Sequence, residues 1–524
     1  MRTFPQVRPL DAGVPRDDFR RFDGAGERGC GVTRGAGGEG CFKGACGVFT
    51  CLLLLACEPE VPAHDSPEEA QAPQVVRPAP EQPQSPPSSP SSPQPSPPVP
   101  GPTVPSPAEP VGRSWYVSTK GSDGGAGTLA APLRTIGRAA ALAKPGEVIR
   151  VLPGVYPEEL ILESRGSGVA PITLRGEGAE RPRLVPKDRV RGAILRVQGR
   201  WNLENLHIDV AGAGMFAVLF DATAFQSVLS GSELNGGTAG AGVCVEGARD
   251  ITVRNNHIHH FIKPADDAHG VAVVGPARNI VIRDNDIHHN SGDSIQCQPG
   301  SGPADGVLIA GNTLHDEGEN GVDIKQCLRV TVRDNTLSGF PNTAIRPVGS
   351  SAGEAVVIHA SARDIVIQGN AISRAGRGVS VLDGSTPAEN ITVEGNLFQD
   401  IRNVPAGNGQ GIRIEGARTV RVVGNTVEGT ASYGLMLAAD GRSVTGLEVR
   451  NNVLRGGSQS LLLRLGAAGY RPGLLMRENQ YASGGMLKGD GASFPGEQLT
   501  LSSPEKLEVW KQVLGVDTGS TVLW

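Results

Sequence analysis

"VRNNHI" (253–258) returns as "IRDNDI" (282–287), "IAGNTL" (309–314), "VRDNTL" (332–337), "IQGNAI" (367–372), "VEGNLF" (393–398), "VVGNTV" (422–427) and "VRNNVL" (449–454). Each copy carries an asparagine two residues before its last apolar position: Asn256, Asn285, Asn312, Asn335, Asn370, Asn396, Asn425 and Asn452. The gaps between them are 29, 27, 23, 35, 26, 29 and 27 residues. An alternating run such as "ITV" or "IVI" precedes each, and a period of two marks a strand with one face inside. Self-similarity at a period in the twenties is the mark of a stacked repeat.

A second strand recurs in every repeat as Gly-apolar-x-apolar. The copies are "GVCV" (242–245), "GVAV" (270–273), "SIQC" (294–297), "GVDI" (321–324), "AIRP" (344–347), "GVSV" (378–381), "GIRI" (411–414) and "GLML" (434–437). Two or three short strands per repeat predict an all-β, parallel β-helix solenoid, whose coils hide their apolar edges only by stacking. A leucine-rich repeat would need Leu at fixed spacing and a helical return, which the pattern lacks. The asparagine column then reads as an internal ladder of side-chain amides passing hydrogen bonds from coil to coil.

The solenoid is expected over 113–482. Thr135 to Ala143 reads as a short amphipathic helix that plugs its open N-terminal end. The segment 483–524 contains "SSPEKLEVWKQVLG", a capping helix with Ser503 at the N-cap and Pro504 at the first helical position.

Composition agrees. The 524 residues include 72 Gly and 40 Pro, with 4% aromatics, as many tight turns between short strands require. A net charge of −5 without a Lys/Arg stripe argues against nucleic acid as a partner. Five of the eight cysteines fall within the first 57 residues, so there is no disulfide framework. "FKGACGVFTCLLLLAC" (42–57) has an apolar run too short to span a bilayer and fits the apolar part of a signal peptide. Its end resembles a bacterial lipobox, which implies lipidation of Cys57; a plain secretory signal is the alternative. A start near Val32 would leave Arg34 and Lys43 as the basic part of that signal. The Pro/Ser-rich stretch 58–112 cannot bury a core and reads as an extended tether. At about 3.1 Å per residue it reaches on the order of 170 Å. Together these predict a monomeric protein of the cell envelope, touching a membrane only through its lipid.

The repeats resemble the right-handed parallel β-helix (pectate-lyase-like) superfamily. The opening segment, "WYVSTKGSDGGAGTLAAPLRTIGRAAALAKPGEVIRVLPGVYPEEL" (115–160), is similar to that of family-nine polysaccharide lyases and their relatives. The resemblance implies calcium-assisted β-elimination on a uronate polymer, with a calcium site of acids from adjacent coils and a lysine base one coil on. Laid over that pattern, Asp293, Glu319, Asn320 and Asp323 take the metal positions, and Arg346 stands where the lysine is expected. Asn320 in place of an acid lowers the ligand charge, and an arginine is a poor base. Lys325 is the other candidate base.

In the same alignment Cys244, Ala272, Gln296, Asp323, Arg346, Ser380, Arg413 and Met436 form one outward column, and Lys325 lies in the next. Asp293, Gln296, Asp323, Lys325 and Arg346 should therefore make one polar patch, with Gln296, Asp323 and Arg413 as sugar contacts. The functional reading is binding, and cleavage, of an acidic polysaccharide. The competing class is a non-catalytic adhesive or structural rod whose charges form a solvated ladder. His259, His288 and His315 share a turn position on three coils, as a transition-metal site or as a surface ladder. Cys297 points inward and Cys327 lies three positions beyond the matching Ile324, so the pair is expected too far apart to bridge.

Overall fold

The computed structural model describes residues 112–524 apart from 165–169, 190–191, 264–265, 347–350, 406, 440–441, 457–459, 467–469 and 490–497. Cys57 and all but the last residue of the tether lie outside the described residues. Three sheets of 14 strands each run the length of the solenoid. The first begins at Ser114–Val117 and ends at Leu475–Arg477. The second runs from Val155–Pro157 to Thr521–Leu523, and the third from Leu160–Glu163 to Gln498–Thr500. Each coil visits them in that order, as in Arg249–Arg254, His257–His259 and His269–Val274. Neighbouring strands are parallel throughout, save the final pair Met486–Gly489 and Gln498–Thr500. The architecture is a right-handed parallel β-helix.

Alternation decides what goes inside. Val253, Ile282, Ile309, Val332, Ile367, Val393 and Val422 stack in register along the first sheet and are buried. Burying each such side chain is worth roughly 1.5–3 kcal/mol, but a lone coil could not do so.

The ladder forms as the repeats predict, and it runs one rung further, to Asn479. Asn285 shows the unit. Its Oδ1 accepts from the backbone N and the Nδ2 of Asn256, both at 3.0 Å. Its Nδ2 donates to Asn312 Oδ1 and to the Val253 carbonyl, also at 3.0 Å. The amide spends every strong donor and acceptor inside the core, so burial costs it no hydrogen bond. Ser232 starts the column, giving its backbone N to Asn256 Oδ1 at 3.0 Å. Asn479 ends it against Ser520 Oγ and Asp517 Oδ1 at 2.8 and 3.1 Å.

The residue before each rung explains the rest of the hexamer. Asn255, Asp284, Gly311, Asp334, Gly369, Gly395, Gly424, Asn451 and Glu478 all have positive φ, between 53° and 66°. Gly, Asn and Asp tolerate this left-handed region best, which is why "NN", "DN" and "GN" alternate in the motif.

Both ends are closed by helices. Ile136–Leu142 buries Ile136 and Ala139, with Thr135 Oγ1 accepting from Arg138 N at 3.1 Å. Pro504–Leu514 buries Leu507, Trp510 and Leu514 and stops at Gly515, whose φ is 72°.

Replacing one rung tests the ladder. Asn335→Ala strips an acceptor from Asn312 and a donor from Asn370 and the Ile309 carbonyl, all buried. Leaving such groups unpaired costs about 1–3 kcal/mol each. We expect a loss of at least about 3 kcal/mol in urea denaturation, against about 0.5 kcal/mol or less for the exposed neighbour Thr336→Ala.

Candidate functional site

The third sheet carries the polar patch on its outer face. Val271, Ile295, Val322, Val356, Val379 and Ile412 face inward in register. The outward column reads Ala272, Gln296, Asp323, Val357, Ser380, Arg413 and Met436. Val357 stands where Arg346 was expected. The strand of that coil is Glu354–Ile358, "EAVVI", rather than "AIRP". The 35-residue gap between Asn335 and Asn370 holds an insertion, and Arg346 lies in it, in a turn whose backbone N–H donates to Asn342 O at 3.2 Å. The register shift also puts His359 beside Lys325 in the next column, where its backbone N–H donates to Ile324 O at 2.9 Å.

Asp323 is the centre of the patch. Its Oδ2 lies 3.0 Å from Lys325 Nζ and its Oδ1 3.0 Å from His359 Nε2. Lys325 shares its strand face two positions on, and His359 comes from the next coil. Arg346 reaches the same neighbourhood from its turn, bridging Glu319 Oε1 at 2.7 Å and Asp267 Oδ1. Arg413 does not join them. It stands three coils along the column from Asp323, about 14 Å at a coil spacing of about 4.8 Å, and pairs with Glu415.

Asp293 and Asn320 are knitted into the scaffold. Asp293 Oδ1 accepts from the Asn320 backbone N at 3.2 Å and from its Nδ2 at 3.0 Å. Its Oδ2 lies 3.1 Å from His269 Nδ1 and accepts from Gln296 Nε2 at 3.4 Å. Asn320 Oδ1 in turn accepts from Ser351 Oγ and Glu354 N, at 2.7 and 2.9 Å. The donor set does not fit a calcium ion in this arrangement. Asp323 and Glu319 each hold a cationic side chain where a metal would approach, and the amide oxygen of Asn320 is spent on the insertion.

Beneath the patch lies a fully buried glutamate that sequence reasoning missed. Glu317 accepts from Asn290 N at 2.6 Å, Asn290 Nδ2 at 3.1 Å and Ser294 Oγ at 2.8 Å. Asn290 Oδ1 accepts from Phe261 N at 3.0 Å. This is a second, shorter ladder that orders the turns entering the third sheet. Its only trace in sequence is the polar residue at the same offset after successive rungs, "HHN" and "HDE".

Cys297 and Cys327 form a disulfide, with Cα atoms 6.4 Å apart. Gln326 has a φ of 53°, and this left-handed turn folds Cys327 back inside beside Cys297. Counting positions along a straight strand placed it too far away. Cys244 is a buried free thiol. His259, His288 and His315 stack in register on the outer face of the second sheet, with ring centroids 5.2 and 4.7 Å apart.

Residues 191–359 and 351–481 match the family model described as right handed beta helix region, together more than half of the chain. The chain belongs to that right-handed β-helix family. Residues 119–163 match a second model, described as a protein of unknown function (DUF1565). No curated protein sequence matches. Among solved structures the chain is similar to pectate lyase Pel9A, at 15% identity over 60% of this chain and 79% of that one, TM-score 0.43. It is similar to the catalytic unit of a GH87 α-1,3-glucanase from Streptomyces thermodiastaticus, at 17% identity over 70% and 66%, TM-score 0.49. It is also similar to PfbA, a surface adhesin of Streptococcus pneumoniae, at 11% identity over 67% and 83%, TM-score 0.45.

Within this β-helix the patch has more acids than cations, and the pKa values divide accordingly. Burial alone would raise the Asp323 carboxyl, but His359 and Lys325 outweigh it and hold the group below the usual range. Asp323 and Asp293 push the Lys325 amine up against the effect of burial. Glu319 shares one guanidinium with Asp267; burial and the charges of Asp293 and Asp267 hold its carboxyl at about 9. Burial likewise raises Glu317 and Glu354.

Glu319 gives a pH test. Between its ordinary value of 4.5 and about 9, the unfolded chain releases the proton while the folded one keeps it. Stability therefore falls as pH rises through that window, by up to about 1.4 kcal/mol per unit. Glu319→Gln removes this contribution, and its urea midpoint should fall less than the wild type's between pH 5 and pH 8.

Proposed function

We propose that the outer face of the third sheet binds an acidic, uronate-containing polysaccharide and cleaves it by β-elimination. The observation that carries this reading is the Lys325–Asp323–His359 group on adjacent coils. Lys325 stays an ammonium and, with Asp323 its one ion-pair partner among the described residues, has donors left over, so it can hold a substrate carboxylate. Neutralising that carboxylate acidifies the neighbouring C5–H. His359 is the base: imidazole is the side chain whose ordinary proton equilibrium lies nearest neutrality, and a carboxylate partner orients it. It takes the C5 proton, the C4=C5 double bond forms, the C4–O bond breaks, and the leaving oxygen is protonated by solvent. Asp323 fixes the ring. This replaces Lys325 and Arg346 as base, because one is held protonated by its acid neighbours and the other, an arginine, is engaged by Asp267 and Glu319. Gln296 and Arg413, before and after Asp323 in the column, extend the contact surface along the axis.

No step is routed through calcium. A non-catalytic adhesin is the second reading, favoured by the cation already paired with each of Asp323 and Glu319. Incubating the protein with polygalacturonate, alginate and glycosaminoglycans, with calcium and with chelator, separates the cases. We expect unsaturated product in chelator as well as in calcium, and a 10²–10⁴-fold loss of rate in His359→Ala with binding retained. Binding without unsaturated product would establish the adhesin; a strict calcium requirement would overturn the His359–Lys325 route.

The proposal includes display at the cell surface through a lipid on Cys57. It expects Cys57→Ala to move the protein from the membrane fraction to the soluble one. Retention in membranes would show that the apolar run 48–56 anchors the chain itself.

A further inference from the structure

Seven of the ten histidines lie on or beside the second sheet between His207 and His315, on a different face from the Asp323 patch. We propose that His257, Asp286 and His288 form a binding site for one divalent first-row transition cation of the zinc class.

The strand register builds the site. His257 and Asp286 are direct partners on adjacent coils. His288 lies two positions beyond Asp286 on the same outward face. Ile258 and Ile287 between them are buried and fix both strands. The Nε2 atoms of His257 and His288 are 2.7 Å apart. At metal–nitrogen distances of about 2.0–2.1 Å, two nitrogens on one ion are about 2.9–3.4 Å apart. The imidazoles therefore need open by only a few tenths of an ångström to admit a cation in place of the proton they share. Asp286 Oδ2 lies 3.9 Å from His257 Nε2, and the three ligand atoms all fall within 4.8 Å of one another.

Outer contacts orient the ligands, as metal sites require. His288 Nδ1 is 2.8 Å from His289 Nδ1. The other Asp286 oxygen is 3.2 Å from His315 Nε2. Two imidazoles and one carboxylate select zinc-class ions over calcium, which takes oxygen ligands. A neighbouring trio, Glu233, His257 and His259, shares His257. Glu233 is already engaged by Arg181 Nη1 at 3.4 Å, whereas Asp286 is approached by imidazoles. The expected histidine column thus contributes one ligand, His288, and the other two come from a residue column it did not include. Bound there, the ion ties two coils together across their outer face and leaves its remaining positions to water or a further ligand.

The test is calorimetric titration of the full chain with Zn²⁺ alone, and separately with Ca²⁺. We expect one Zn²⁺ per chain, a raised thermal midpoint, and no corresponding Ca²⁺ binding to the same set. His288→Ala and Asp286→Asn should each weaken Zn²⁺ at least tenfold, whereas His359→Ala and Asp323→Asn on the third sheet should leave it unchanged. Should His288→Ala not fold, the nearly isosteric Asp286→Asn reads the same site. The proposal is overturned by absence of Zn²⁺ binding. It is equally overturned by binding that survives Asp286→Asn at full strength in a protein with an unaltered thermal transition, or by binding that follows Asp323.

Discussion

Each coil of this protein must return to the same place on the axis, whatever its length, and one side-chain amide enforces that. The ladder asparagine receives two hydrogen bonds from the coil before and gives one to the coil after. A coil displaced along the axis or rotated about it would leave several buried polar groups unpaired at once. The left-handed residue before each rung turns the backbone so that the amide can point inward. Everything else varies around this corner. The coils differ in length from 23 to 35 residues between rungs, because extra residues leave as turns without disturbing the stack.

The polar patch depends on that constancy. Asp323, Lys325 and His359 meet because adjacent coils are held one strand spacing apart and in register. The second ladder, through Asn290 and Glu317, does the same for the turns that lead into the third sheet. It is built from a buried acid in place of an amide, and the burial keeps that acid protonated well above its ordinary range. The Cys297–Cys327 bridge ties the coil that bears Asp323 to its neighbour from inside. Asp323 is thus carried on a strand and Lys325 and His359 just past the ends of theirs, while the insertion supplies Arg346 from a turn.

Charge is distributed unevenly over the two outer faces. The third sheet concentrates carboxylates and has fewer cations than acids, so Glu319 and Asp267 share Arg346. The second concentrates imidazoles, where Asp286 and Glu233 approach from the strands themselves. Both arrays arise from the same rule, that residues at equal offsets from successive rungs lie one above another. A column of like residues in the repeats is therefore a column in space, and chemistry that needs two or three ligands arises from single positions repeated.

The repeat hexamer alone determined the fold, the ladder and the inward columns, since period and backbone sterics are local properties read residue by residue. Asp323 and Lys325 on one face followed from alternation within a single strand. The helical ends were legible too, because Pro504 and the left-handed Gly515 are local signals. What followed from the third dimension was every relation between coils that an insertion interrupts. Both candidate strands carry Ala where the repeat has glycine, but "AVVI" (355–358) is apolar on both faces, so it looked less like the repeated strand than "AIRP" did, although Pro347 has no N–H to give a sheet. That one substitution of strand moved Arg346 out of the column and put His359 beside Asp323. Cys327 was likewise misplaced by counting, because the left-handed turn at Gln326 is invisible in a residue that rarely adopts it. Sequence specifies each coil and the columns that repeat without interruption; where an insertion or an unexpected turn intervenes, only stacking decides which side chains of different coils touch.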